Sequence, residues 1–507
     1  MPSFPQGPRT LRDAVERQVA DRGDAPFLIV PESGRRLGYR ELQALSRRLA
    51  GFLAARGIGP GEVVSFMLPN SVAAVGVFIG AMAGGFVVSP LNLVAQDSQL
   101  EYVLVHSGTR LVFTSEDLAD RLRAIIARTA AAIELVVIDV DQPDFGDGDG
   151  AWREALLPEQ PAMLMYTSGT TGTPKGVLLS HANMLHSAQV VVNAQELGPG
   201  DRVLSSLPLY HINGQCIATL STLASGGGVI LPARFSASRW WEWVAEHRPT
   251  WLNVVPTIIA YLLQGPELTA AQREACAGIR FARSASAPLP REHHEAFEAR
   301  FGIGVLEGMG LTETASIAFA NPLERHRRRL GTPGLPLGIE ARVVDIAAAP
   351  LGDGVSGEIQ LRGPSVMLGY YKAPEATAKT ISAAGWLSTG DLGYRDADGF
   401  YFITGRLKEL IIKAGENIAP REIDEALLRH PAVLDAAAVG IPDAMYGQDI
   451  LACVILKPEH ACSIDELHAH SLKELGRFKT PKLIRLVDEL PRGPSGKVQR
   501  LRLLELQ

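Results

Sequence analysis

Along the chain, short and nearly unbroken apolar runs alternate with stretches whose apolar positions recur every three to four residues. Leu11 to Val19 and Tyr39 to Arg56 carry helical spacing, while Val63 to Leu68, Leu111 to Thr114 and Leu135 to Val140 have strand length and strand character. This alternation predicts α/β organisation. No charged residue occurs from Val63 to Gln96, and on hydropathy alone that stretch would suggest a membrane span. Its punctuation predicts otherwise: Pro69-Asn70 opens a helix over Ser71 to Ala83, Gly84-Gly85 ends it, and Phe86 to Ser89 follows as a strand. No membrane span is therefore expected.

Met163 to Ser180, MLMYTSGTTGTPKGVLLS, has a different texture. An apolar strand, Met163 to Tyr166, passes into a Ser/Thr/Gly run and returns as a second apolar strand, Val177 to Leu179. Gly169, Gly172 and Gly176 let the backbone turn and approach a ligand closely. Successive N–H groups, the hydroxyls of Thr167, Ser168, Thr170 and Thr171, and the Lys175 ammonium can all donate to phosphate oxygens. The stretch holds one cation and no acid, which suits an anion cradle better than a solvated hairpin tip. It is not a Walker loop, since Lys175 lies between Pro174 and Gly176 and a strand follows where a helix should begin.

The run Tyr166 to Gly176 closely resembles the phosphate-loop signature of the AMP-forming adenylating enzymes, the superfamily of acyl-CoA synthetases, peptide-synthetase adenylation domains and firefly luciferase. Further motifs extend the resemblance over nearly the whole chain. Leu207 to Gly214 resembles the segment whose His gates the acyl pocket, here His211. Arg280 to Pro290 resembles the strand and turn at one side of the adenine site, with Ser284-Ala285-Ser286 where the family usually carries a central Gly. Ala285 should trim the acyl space. Gly308-Met-Gly-Leu-Thr-Glu313 resembles the next motif: Met309 stands where an aromatic residue stacks on adenine, and its thioether can still lie on a purine face. Thr312 would donate to phosphate or to the acid. Glu313 would ligate Mg²⁺, for which a carboxylate is the right hard oxygen donor. Gly385 to Asp391 resembles the ribose motif, with Asp391 accepting from both hydroxyls, Arg406 contacting ribose and phosphate, and Lys408 at the interdomain hinge. Pro491 to Lys497 resembles the loop of the catalytic lysine.

From these matches the resemblance implies a full set of sites. Catalysis would fall to Lys497, Thr312 and Glu313, and ATP binding to Thr167, Ser168, Gly169, Thr170, Thr171, Gly172, Lys175, Ser286, Gly308, Met309, Thr312, Asp391, Arg406 and Lys497. The acyl pocket would use His211, Arg283, Ser284 and Gly310, while Lys408, Lys413, Gly415 and Glu416 would serve the hinge and CoA channel. The fold implied is a large N-terminal α/β adenylating domain, residues 1–406, a hinge at 407–408, and a small mobile α+β domain, residues 409–507. Past the hinge the residues agree. Pro420 starts a helix with Ile423, Ala426 and Leu427 on one face, Asp449 to Leu456 and Leu483 to Val487 read as strands, and Ser463 with Glu466 forms a capping box. The activity implied is ATP-dependent conversion of a carboxylic acid to its acyl-adenylate and then to a thioester with coenzyme A. A ligase loading a carrier protein is the alternative within the superfamily, and a luciferase-like oxygenase the alternative outside it.

Composition adds bounds. The 507 residues exceed one ordinary core, and 46% apolar content can build several. A formal charge of −6 argues against general nucleic-acid binding, although residues 473–502 carry nine Lys or Arg against three acids. Cys216, Cys276, Cys453 and Cys462 lack metal-ligand spacing. Met1 to Ala20 lacks a signal-peptide core, so a cytoplasmic monomer or homodimer is expected. Trp240, Trp241 and Trp243 read as packing residues on a helix over Ser238 to His247, Asn253 to Pro256 as a buried strand, and Asp141 to Gly150 as a mobile loop.

Arg283 breaks the pattern. A guanidinium within an apolar strand must find a partner, because an unpaired buried charge costs several kcal/mol. Glu307 is a structural candidate. The other is a second anionic group on the substrate, which would pair with Arg283 bidentately and favour a small dianionic acid.

If Lys497 serves adenylation alone, Lys497→Ala abolishes acid-dependent pyrophosphate exchange yet converts supplied acyl-adenylate and CoA to thioester near the wild-type rate. Equal loss of both half-reactions contradicts this division of labour.

Overall fold

The computed structural model describes residues 7–146, 152, 155–167, 173–458, 460–492 and 498–506. Ser168, Gly169, Thr170, Thr171, Gly172 and Lys497 lie outside the described residues, as does the second half of the Asp141 to Gly150 segment. Two large sheets dominate. One runs Gly369–Tyr370, Lys175–Ser180, Pro161–Thr167, Val87–Pro90, Val63–Met67, Leu111–Thr114, Glu134–Val137 in spatial order. In the other, Pro26–Val30, Gly228–Ile230, Arg202–Ser205, Trp251–Val254, Phe281–Ser284 and Val305–Met309 pair in parallel, with short antiparallel strands at both edges. A four-stranded antiparallel sheet, Glu340–Val344, Gly357–Arg362, Leu387–Arg395 and Tyr401–Arg406, completes the large part. After the short 3₁₀ helix Leu407–Glu409, a separate sheet with the helices Pro420–Leu428 and Ile464–Lys479 builds its own core around Ile411, Ile423, Leu427, Ile450 and Val454.

The uncharged stretch is the packing centre of the large part. Its helix, Val72–Gly84, is buried from Val72 to Ala83, so every face needs an apolar partner and a charge on any of them would be stranded. Gly76 and Gly80 let the helix Tyr39–Ala55 approach: a Cβ at Gly76 would stand 2.5 Å from Leu45, and one at Gly80 3.1 Å from Leu49 and from the Ser46 backbone. Among the described residues no helix is long and apolar enough to cross a membrane. The helix begins one residue later than the sequence suggested. Ser71 is the cap, accepting from the Ala74 N–H at 3.1 Å, and Gly85 closes the far end at φ 91°.

Asn70, expected to help open that helix, does something else. It is 4% exposed. Its Nδ2 donates to the carbonyls of Ser206, Leu207 and Pro232 at 3.4, 3.2 and 3.1 Å, and its Oδ1 accepts from the Leu209 N–H at 3.1 Å. One amide thus ties the helix start to the loop that leads into His211. Other boundaries shift by a few residues. The strand expected over Asn253 to Pro256 is Trp251–Val254, and Pro256 occupies the first turn of the next helix, where a missing N–H does no harm. The three tryptophans are buried as expected, at 0, 5 and 1% exposure. The Asp141 segment is not wholly loose: Phe145 is buried edge-on against Phe52 and Phe113.

Asn70→Asp keeps the shape but turns an acceptor toward three carbonyls. We expect about 3 kcal/mol of destabilisation, read as a lowered thermal midpoint, with Asn70→Ser intermediate.

Candidate functional site

The site is assembled where strands of the two large sheets end. On the phosphate-loop side, the strands Pro161–Thr167 and Lys175–Ser180 pair antiparallel with Thr167 opposite Lys175. Tyr166 is anchored by its hydroxyl, 2.7 Å from His106 Nδ1. A Cβ on Gly176 would lie 2.9 Å from Leu164 and 3.2 Å from the Tyr166 ring, so that glycine permits close packing at the loop base.

Across from it stands the Gly308 to Glu313 segment. The strand Val305–Met309 hands over to a 3₁₀ turn, Thr312–Thr314. Gly310 has no alternative, because a Cβ there would fall 1.1 Å from the Ser316 carbonyl oxygen. Ala315 and Ser316 follow at φ 50° and 97°, a strained backbone of the kind that clusters at ligand sites. Glu313 Oε1 accepts from the Tyr370 hydroxyl at 2.9 Å, and the Glu313 carbonyl accepts from the Met367 N–H at 2.8 Å. Met309 is half-buried, against the cluster of Phe319 and Tyr401.

Asp391 and Arg406 sit directly opposite each other on paired strands, with Arg406 Nε 2.9 Å from Asp391 Oδ1. The Asp391 charge raises the Arg406 pKa against the opposing effect of burial, with Glu409 and then Glu313 adding to it. Asp391, Arg406 and Glu313 are therefore one electrostatic neighbourhood, as the motifs implied. Among the described residues no group of three or more His, Cys, Asp or Glu could hold a metal. A cation at Glu313 would take its remaining ligands from phosphate and water, which is how Mg²⁺ is usually held, so the acceptor-only carboxylate fits that ion.

His211 and Ser286 are joined through Asn213, which is tied in turn to Asn253, the strand neighbour of Arg283. After His211 the chain enters a π-helical stretch, Asn213–Leu220, a rare geometry frequent at functional sites. The Asn213 N–H donates to His211 Nδ1 at 3.4 Å, and Asn213 Nδ2 donates to Ser286 Oγ at 3.2 Å. Asn253 Nδ2 donates to Asn213 Oδ1 at 3.1 Å and to Ser205 Oγ at 3.3 Å, while no donor among the described residues reaches its Oδ1. Ser286 is held at φ 75°. The one available signal for Asn253 was a polar amide within the otherwise apolar Trp251–Val254 strand.

Arg283 is registered beside Asn253 on one side and Leu306 on the other. It is 2% exposed, and among the described residues it makes no ion pair and no acceptor reaches its Nε or Nη1. Glu307 is not its partner. Ser284 is the residue opposite Glu307, so Glu307 projects from the other face of the sheet. There it meets His294 Nδ1 and the Gly331 N–H, each at 3.2 Å. The same alternation separates Arg283 from Ser284, two residues expected to line one pocket. The guanidinium lies instead along Gly308, where a Cβ would stand 3.0 Å from Nη2. Burial pushes the Arg283 pKa down to about 10, so the group remains a cation at neutral pH in surroundings that oppose its charge.

In the small domain, Lys413 Nζ pairs with Asp449 at 2.6 Å, both side chains buried. Ala414 and Gly415 turn the hairpin between Ile411–Lys413 and Glu416–Ile418 at φ 50° and 85°, which leaves Gly415 and Glu416 exposed. Lys408 lies in the connecting 3₁₀ helix.

Comparison with known proteins identifies the family. A family model described as AMP-binding enzyme matches residues 15–371, and one described as AMP-binding enzyme C-terminal domain matches residues 422–497. A sulfoacetate–CoA ligase of Cupriavidus necator is 52% identical, covering 98% of this chain and 97% of its own. An oxalate–CoA ligase of Arabidopsis thaliana is 34% identical over 92% of each. The crystal structure of ATP-bound MatB from Rhodopseudomonas palustris has a TM-score of 0.89 at 31% identity, covering 98% of both chains.

An unpartnered buried cation destabilises the ligand-free protein. Arg283→Met should raise its thermal midpoint by about 2 °C or more; a fall would mean that Arg283 has a structural partner.

Proposed function

As a member of the AMP-binding enzyme family, this chain is an AMP-forming acid–thiol ligase that activates a carboxylic acid with ATP for transfer to coenzyme A, and on that premise we propose that its acid is small and carries a second anionic group bound by Arg283. One observation carries the reading: a guanidinium buried to 2% exposure whose Nε and Nη1 find no acceptor among the described residues. Such a group is strongly disfavoured unless an anion enters to pair with it, and its forked donors match a carboxylate or sulfonate. Two relatives support it by name, since sulfoacetate and oxalate both have a second acidic group.

The spacing favours a short acid. Arg283 lies along Gly308, and two residues of extended chain separate Gly308 from Gly310, about 7 Å. Beyond Gly310 begins the Thr312 turn, so a two- or three-carbon acid spans from guanidinium to the reacting carboxylate. Asn253 and Asn213 hold the wall between Arg283 and Ser286, and Ala285, 6% exposed, adds to the packed side of the strand end.

In the first half-reaction a substrate carboxylate oxygen attacks the α-phosphorus of ATP and pyrophosphate leaves. Every participant is anionic, so the site must concentrate positive charge and oriented donors before reaction. Lys175 and the loop amides hold the β- and γ-phosphates, Thr312 donates to the reacting region, and Asp391 and Arg406 fix the ribose. Mg²⁺ at Glu313 would neutralise phosphate charge. Lys497 completes the adenylation set. A rotation at 407–408 then exchanges it for the Gly415 hairpin, beside which the CoA thiol attacks the mixed anhydride and expels AMP.

A panel of acids on wild type and Arg283→Met tests the substrate reading. Sulfoacetate and other short dianions should give the highest kcat/KM, and Arg283→Met should lower these about 100-fold or more while changing acetate and propionate little. The reading fails if benzoate or long-chain acids rank first, or if the substitution lowers mono- and dianionic acids equally.

A further inference from the structure

Two groups assigned above to phosphate and metal, Lys175 and Glu313, meet on one side chain that no motif marked. The Tyr370 hydroxyl donates to Glu313 Oε1 at 2.9 Å, and Lys175 Nζ stands 4.9 Å from the centroid of the Tyr370 ring. No ion pair joins Lys175 to Glu313 among the described residues, although opposite charges converge on one ring.

The backbone fixes that ring firmly. Gly369–Tyr370 pairs antiparallel with the strand that begins at Lys175, Gly369 opposite Leu178 and Tyr370 opposite Val177. The Leu368 and Tyr371 N–H groups donate to Leu178 and Gly176 at 2.9 and 2.7 Å, and the Met367 N–H donates to the Glu313 carbonyl at 2.8 Å. Tyr370 N–H donates to Thr377 Oγ1 at 2.8 Å. The segment 367–371 therefore touches the base of the phosphate loop and the backbone of the metal-facing residue at once, and the ring cannot drift from either.

The chemistry of the contact is specific. A phenol fixes one carboxylate oxygen without removing its charge, whereas a Lys or Arg would neutralise it. A phenol is protonated at neutral pH, so at 2.9 Å the hydroxyl donates to the carboxylate. The ring face holds an ammonium weakly, by cation–π attraction, and releases it readily to a phosphate. Without the ring, Lys175 and Glu313 would be drawn together and each would satisfy the other.

We propose that Tyr370 is a positioning residue for adenylation: its hydroxyl sets Glu313 to present Oε2 to the metal of the bound nucleotide, and its ring keeps Lys175 from pairing with that carboxylate. The proposal rests on Glu313 being the metal-facing carboxylate, and the test separates the two. Mn²⁺ binding to the full-length enzyme with ATP is followed by the EPR signal of the free ion, and ATP binding in EDTA by calorimetry, for wild type, Tyr370→Phe, Tyr370→Leu and Glu313→Gln. Thermal midpoints check that each variant is folded. Tyr370→Phe, which keeps the ring, should weaken Mn²⁺ about five- to tenfold and leave metal-free ATP binding unchanged. Tyr370→Leu should weaken both, and adding Glu313→Gln to it should restore metal-free ATP binding by releasing Lys175. If Glu313→Gln weakens Mn²⁺ while Tyr370→Phe stays within twofold of wild type, the hydroxyl role falls and the Glu313 assignment stands. If Glu313→Gln leaves Mn²⁺ unchanged, the Glu313 assignment falls and takes the proposal with it. If metal-free ATP binds Tyr370→Leu as well as wild type, the spacer role of the ring is wrong.

Discussion

Arg283 can touch only what the pleat allows. Successive side chains of a strand leave on opposite faces, and register carries that choice across a sheet. Arg283 is level with Asn253 and Leu306, while Ser284 is level with Glu307. One step of register therefore divides the sheet into two chemistries. On one face Glu307 joins His294 and Glu298 in a network closed within the protein. On the other, Arg283 and Asn253 retain polar atoms that no group among the described residues satisfies, and on the Glu307 face only the Ser284 hydroxyl does likewise among these strand residues. A slip of one residue between these strands would pair Arg283 with Glu307 and bury the useful cation in a structural salt bridge.

Such an arrangement survives only inside a scaffold that over-determines it. The parallel strands around Arg283 are flanked by the Trp240, Trp243 and Phe297 core, and the other large sheet packs around the wholly buried Val72–Gly84 helix. Hydrophobic burial of this extent offsets one unfavourable charge, as active sites generally require of the rest of a protein. Asn70 performs a related service on the loop before His211, where three carbonyls converge on one amide.

Much of this was legible in the sequence. The uncharged helix announced itself by its glycine stop, and the strand–loop–strand cradle by its apolar flanks and its central run of small residues. The α+β tail followed from Pro420 and the Ser463–Glu466 box. What escaped has a common cause. The Arg283 partner depended on register between strands 20 residues apart in sequence, which periodicity within one strand does not encode. Tyr370 depended on a two-residue strand meeting the phosphate-loop base nearly 200 residues away. The role of Asn70 required knowing which carbonyls would surround it. Each belongs to tertiary pairing, whereas local pattern specifies elements and their ends.

The contact between Arg283 and Gly308 has a consequence for how such enzymes diverge. A methyl at position 308 would press on the guanidinium at 3.0 Å and on the Phe319 carbonyl oxygen at 3.1 Å, so the loss of the guanidinium would relieve only one of the two contacts. On the proposed role of Arg283, charge selectivity is thus written at one codon, apart from Lys175, Asp391 and Arg406. A lineage could then exchange an anionic substrate for an uncharged one at codon 283 alone, while position 308 stays glycine beside the Phe319 carbonyl and within the nucleotide motif.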